Sequence, residues 1–183
     1  MNTSKSKKPV RHSGPKFRKT PDGHYFTGLW SERHCMLVGQ IATYWTTVED
    51  EMIEILRDLS GGHLDLPARQ IFRSITSNEA RRKLLLNLLE KSPLNKGKGD
   101  FYDTVISSFY SLNGRRNDYV HGMWFTLDDY STAFLSSRSI DDLFFLEKRE
   151  VPIHELEVLI RDMDSLMGLL KDHRVQKLCP SAK

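Results

Sequence analysis

The sequence predicts an all-α protein, an up-and-down helical bundle of four to five helices with a small antiparallel β insertion. Three observations carry this. Apolar residues recur at alternating spacings of four and three over long segments, which is the period of one helix face. Short links rich in glycine, proline and serine separate those segments, as in antiparallel helical neighbours. Residues 123–151 break the pattern, with short apolar runs between polar turns.

Taken in order, residues 1–28 form a basic N-terminal arm, rich in Lys, Ser, Pro and Gly and poor in apolar side chains. A helical domain follows over residues 29–178. Its first helix starts at Ser31 or Glu32 and runs to Leu59, with Ile41, Trp45, Val48, Met52, Ile55 and Leu59 in one stripe. Gly61-Gly62 ends it. Leu66 to Ile75 reads as a short helix that tolerates Pro67 in its first turn. Ser77-Asn78-Glu79-Ala80 has the polar start of a third helix, whose apolar face is Leu84, Leu85, Leu88 and Leu89. Arg81, Arg82 and Lys83 read most simply as its wet side. Ser92 to Gly99, with Pro93, Gly97 and Gly99, reads as a loop.

Phe101 to about Val120 is the central helix, with Val105, Ile106, Phe109, Tyr110 and Leu112 facing inward. Met123–Leu127, Ser131–Ser137 and Leu143–Glu150 are the extended runs of the insertion. Polar turns at Asp128-Asp129 and Ser139 to Asp142 divide them. Pro152 to about Arg174 is the last helix, with Leu156, Leu159, Ile160, Met163, Leu166, Met167 and Leu170 on a wide apolar face.

Composition narrows the function. A length of 183 residues suits one domain with a tail. No apolar run approaches a membrane span, and the N-terminus lacks the apolar core of a secretory signal. Cys35 and Cys179 are too few and too far apart for a disulfide framework, so a reducing cytoplasm is the default expectation. The histidines show no zinc spacing, and no metal or cofactor is expected. Seven lysines and arginines precede the first acid, Asp22, so a chain of net charge +3 carries −4 beyond that point. Basic character lies in the arm, which reads as a solubilising tail or as an RNA tether. Any phosphate site in the body must therefore be local.

One stretch concentrates such chemistry: Arg115-Arg116-Asn117-Asp118-Tyr119-Val120-His121-Gly122-Met123-Trp124. In a continuous helix Asn117 and His121, four apart, share a face, and Arg116 lies about 100° from Asn117, within swing of it. Gly122 suits a helix C-terminus. Arg grips phosphate with a planar fork, His trades a proton near neutral pH, and the Asn amide orients either group. Together they suffice for metal-free attack on an RNA phosphodiester. The plainer reading is that the His caps the helix end. Glu49, beside the first stripe, is either a partner for an active-site Arg or a solvated charge. Tyr119 and Trp124 pack, or stack on a base.

Arg116-Asn117-(three residues)-His121, followed by Gly122 and Trp124, resembles the signature of the HEPN superfamily, which is Arg, four to six residues, then His, often with a polar residue after the Arg. The resemblance covers about residues 30–175 in helix pattern. It implies a small all-α domain and a metal-independent endoribonuclease of the kind found in toxin–antitoxin and phage-defence systems. Arg116, Asn117 and His121 would be catalytic. It also implies RNA as partner, a homodimer in which two Arg/His pairs share a cleft, and a protein antitoxin or regulator. Members that bind nucleotides or partners without catalysis leave a second reading open. Arg115 also fits the looser spacing, so the choice of Arg116 rests on Asn117. The insertion after His121 departs from the minimal family pattern.

Overall fold

The computed structural model describes residues 25–27, 31–61, 67–127, 132–136 and 148–178. The basic arm up to residue 24, the turns at Asp128-Asp129 and Ser139 to Asp142, and the tail after Leu178 lie outside them.

The described elements are β1 (Tyr25–Thr27), α1 (Glu32–Leu59), α2 (Pro67–Ser74), α3 (Asn78–Lys91), α4 (Asn95–His121), β2 (Met123–Leu127), β3 (Ala133–Ser136), β4 (Lys148–Glu150) and α5 (Ile153–Leu178). This is a helical bundle with a small antiparallel sheet, the fold class expected. α1 packs against α5, α4, α2 and α3, while α4 packs against α3 and α5. The first stripe is buried as its period requires: Ile41, Trp45, Val48, Met52, Ile55 and Leu59 are all inside the core. Trp45 stacks on Phe109 of α4, ring centres 4.9 Å apart and 22° from parallel, with Phe72 of α2 beside them. Offset-stacked rings of this kind add about 0.5–1.5 kcal/mol beyond the area they bury. That cluster fixes α1, α2 and α4 to one another.

Helix ends follow local chemistry. Ser77 caps α3, its hydroxyl accepting from the Ala80 amide at 3.3 Å. Gly61 closes α1 with a φ of 70°, which a side chain would oppose. Ser31 precedes α1 without capping it. Its hydroxyl instead meets Nδ1 of the buried His34 at 2.7 Å, and His34 Nε2 donates to the Val151 carbonyl at 2.7 Å. This buried relay ties the start of α1 to the start of α5.

Two expectations are corrected. Residues 92–99 are not wholly a loop. α4 begins at Asn95 and bends at Lys98 (φ −135°, ψ 15°), because the link through Ser92 already closes into turns, the Gly97 and Lys98 amides both bonding the Leu94 carbonyl. Tyr25–Thr27, placed in the arm, is strand β1. It pairs antiparallel with β2, Tyr25 opposite Leu127 and Thr27 opposite Phe125, and gives the sheet a fourth strand in the order β1-β2-β3-β4. The pairing covers an edge of β2 that would otherwise present unpaired backbone.

β2 begins at Met123, with Gly122 alone between it and the end of α4. Met123 pairs with Ser136 and Leu135 with Arg149, so β2 through β4 sit beside the last turn of α4.

Candidate functional site

The long helix α4 delivers the signature, and the sheet and α5 hold its last turns. Tyr119 is buried. Its ring stacks on Trp124, and its hydroxyl donates to Glu155 of α5 at 3.0 Å. Arg149 of β4 bonds the same carboxylate at 2.5 Å, and its guanidinium lies 5.9 Å from the Tyr119 ring centre. The Trp124 indole donates to the Tyr119 carbonyl at 2.8 Å, satisfying a group that the ending helix leaves free. Strand, helix end and α5 are thus clamped through one tyrosine. Burial pushes the Tyr119 hydroxyl above its usual pKa. Tyr119 is a packing residue here, not a ring lining a cleft.

In the last turns of α4 the three signature residues meet. Arg116 Nη1 donates to Asn117 Oδ1 at 2.8 Å and to His121 Nε2 at 3.0 Å. A guanidinium has only donors, so His121 Nε2 is an acceptor in this contact and carries no proton there. Arg116 is half-buried, while His121 is exposed. Burial strips water from the guanidinium and lowers its pKa, and the charge of Glu49 works the other way. Among the described residues Arg116 forms no ion pair, and its Nε is sealed with no hydrogen-bond partner. A sealed, partnerless donor costs about 1–3 kcal/mol.

Arg115 goes elsewhere. It pairs with Asp162 of α5 at 2.5 Å and takes no part in the Arg116–His121 contact. The choice between the two arginines, made in the sequence on Asn117, has a geometric counterpart in that carboxylate. Glu49 approaches Arg81 of α3 at 3.5 Å, so it is not simply solvated. Nor is Arg81 the wet side of α3. It is largely buried over the Phe72 ring at 4.9 Å, and its Nε donates to the Ile75 carbonyl at 2.6 Å.

Gly122 ends α4, as expected, and does so in an extended rather than a left-handed conformation, with φ −68° and ψ 161°. A Cβ there would run into the Asp118 carbonyl and the Leu135 side chain, so glycine is required by the close passage of β3.

A second polar cluster, unforeseen in the sequence, lies at the other end of α4. His173 of α5 donates from Nε2 to Asp58 of α1 at 3.0 Å, with the Tyr102 hydroxyl 3.3 Å from the same nitrogen. Phe101 stacks on the imidazole at 4.6 Å. Residues 58 and 173 are so far apart in sequence that no local spacing announces them. The described residues hold no group of three or more His, Cys, Asp or Glu arranged for a metal ion, and no helix long and apolar enough to cross a membrane.

No protein-family model matches the chain, and neither curated proteins nor solved structures yield a match.

Proposed function

We propose that this chain is a metal-independent endoribonuclease of HEPN type. The observation that supports it best is the joint contact of Arg116 with Asn117 and His121 beside an exposed imidazole. In the proposed reaction the substrate phosphate draws the guanidinium from His121 Nε2. That nitrogen then takes the proton of the RNA 2′-hydroxyl. The 2′-oxygen bonds to phosphorus, the bond from phosphorus to the 5′-oxygen breaks, and the leaving oxygen takes a proton from water. Arg116 offsets the negative charge gathering on the phosphoryl oxygens, and its half-buried setting strengthens that effect. Asn117 holds the guanidinium in plane. A second copy of the chain would supply the facing Arg/His pair, and a protein antitoxin or regulator would restrain it.

The second reading is a non-catalytic nucleotide-binding or protein-interaction module of the same shape. It draws on the same contact, because Arg116 Nη1 occupies the lone pair that a base would use. Incubating the purified protein with mixed RNA in the presence of chelator separates the two. The expected result is cleavage that leaves 2′,3′-cyclic phosphate ends and vanishes in His121→Ala at unchanged helicity. Cleavage undiminished in that variant rejects the assignment, and intact RNA with the unaltered chain favours the module.

A further inference from the structure

The His173 cluster borders a pocket of about 580 Å³, within the size range of small-molecule sites, at the end of the bundle away from Arg116. Along α4, Tyr102 and Arg116 are fourteen residues apart, about 21 Å at the helical rise. The pocket is lined by Lys96, Lys98, Asp100, Phe101, Asp172 and His173. The bend of α4 at Lys98 and the glycines on either side of it leave its mouth unobstructed by side chains at those two positions.

His173 is what makes this more than a dent between lysines. Its side chain is 9% exposed, and Asp58, at 7%, holds Nε2 from behind. A carboxylate only accepts when ionised, so Nε2 carries the proton and the ring orientation is fixed. Nδ1 has no hydrogen-bond partner among the described residues. The sealed, partnerless side-chain atoms there are Tyr110 Oη and Arg116 Nε, so Nδ1 opens onto solvent space. His173 lines this pocket and also a smaller one bordered by Asp58. Phe101 covers one ring face and keeps the imidazole from turning.

We propose that this pocket is a second ligand site, for a small phosphate monoester that also carries hydroxyl groups. Lys96 and Lys98 meet the phosphate as mobile point charges. His173 Nδ1 adds one directed bond to a phosphoryl oxygen. It donates if the ring is charged and accepts from a protonated oxygen if it is neutral. Asp100 and Asp172 would repel a polyanion such as RNA, but they accept hydrogen bonds from hydroxyls. Two ammonium groups beside two carboxylates therefore select a ligand with one anionic end and a neutral polar body. Neither Arg116 nor His121 takes part.

Calorimetric titration of the full chain with ribose 5-phosphate and with inorganic phosphate tests this. Ribose 5-phosphate is expected to bind once per chain, and more tightly than inorganic phosphate. The Lys96→Ala/Lys98→Ala double variant, altered only at exposed positions, is expected to lose about tenfold in affinity, as for one lost charge-assisted contact. Arg116→Ala should bind as the unaltered chain does. The imidazole nitrogen resonance of His173 Nδ1 should shift on titration, which loss of fold would not mimic. No heat with either probe at millimolar concentration, or affinity unchanged in the double variant, or affinity lost in Arg116→Ala, overturns the proposal.

Discussion

The two ends of α4 each carry an imidazole, and they use it in opposite senses. At the N-terminal end His173 Nε2 donates to a buried carboxylate. At the C-terminal end His121 Nε2 accepts from a half-buried guanidinium. The first arrangement gives Nε2 a buried acceptor and ties α1 to α5. The second leaves Arg116 with a sealed donor that nothing meets and no carboxylate within pairing distance among the described residues. The second contributes less to stability, since a half-buried cation with no counter-ion beside it costs free energy. The lesson is that the same residue type reads as scaffold or as site by what its partner leaves unsatisfied.

The largest effect should come from removing the satisfied end. Asp58→Ala takes the carboxylate acceptor from the buried His173 Nε2, and unfolding by denaturant should show a loss of about 1–3 kcal/mol. A loss much below that would mean the pair is not sealed as described.

Alkaline pH should act at the same end. Burial, and then the charge of Asp58, push the Tyr102 hydroxyl from its usual value up to about 12. The fold therefore favours the neutral phenol. That contribution is fully present below pH 10 and is lost as pH rises from about 10 to about 12. Melting temperature followed through this window should fall less steeply in Tyr102→Phe than in the unaltered chain. Tyr44, also raised to about 12 by burial and then by its bond to Asp164, leaves part of the slope in place.

At the other end the signs differ. Arg116→Met should leave stability within about 1 kcal/mol, or raise it, because it removes a desolvated charge and keeps the apolar stem. Stability lost by several kcal/mol would show Arg116 to be structural. Smallest of all, Arg115→Ala should change stability by less than about 1 kcal/mol, since its pair with Asp162 is more than a third exposed on both sides. RNA cleavage, if the proposed reaction holds, should persist in that variant.

Periodicity explains which parts were legible beforehand. The stripes of α1 and α5 run from Ile41 to Leu59 and from Leu156 to Leu170, and the residues named in them are buried, Ile160 only partly. The start of α4 was hidden because Lys96, Gly97, Lys98 and Gly99 carry no apolar signal, and backbone turns from Ser92 onward nucleate it instead. Strand β1 was hidden because three residues give no alternation, and its partner lies a hundred positions later. The signature was visible as spacing, but the separate fate of Arg115 depended on Asp162, in another helix. Tyr119 packs, as the first of its two readings had it, but its clamp, Arg149 with Glu155, comes from two later elements that no local spacing announces.

What the reading of the open end most needs is evidence that Arg116 and His121 act as one unit. A double-mutant cycle in metal-free RNA cleavage gives it, using Arg116→Ala, His121→Ala and the variant carrying both. Groups that serve one transition state together are expected to show equal single losses, with the double variant no slower than either. Losses that multiply in the double variant would mean the two residues act independently, and the contact between them would then be incidental to the chemistry.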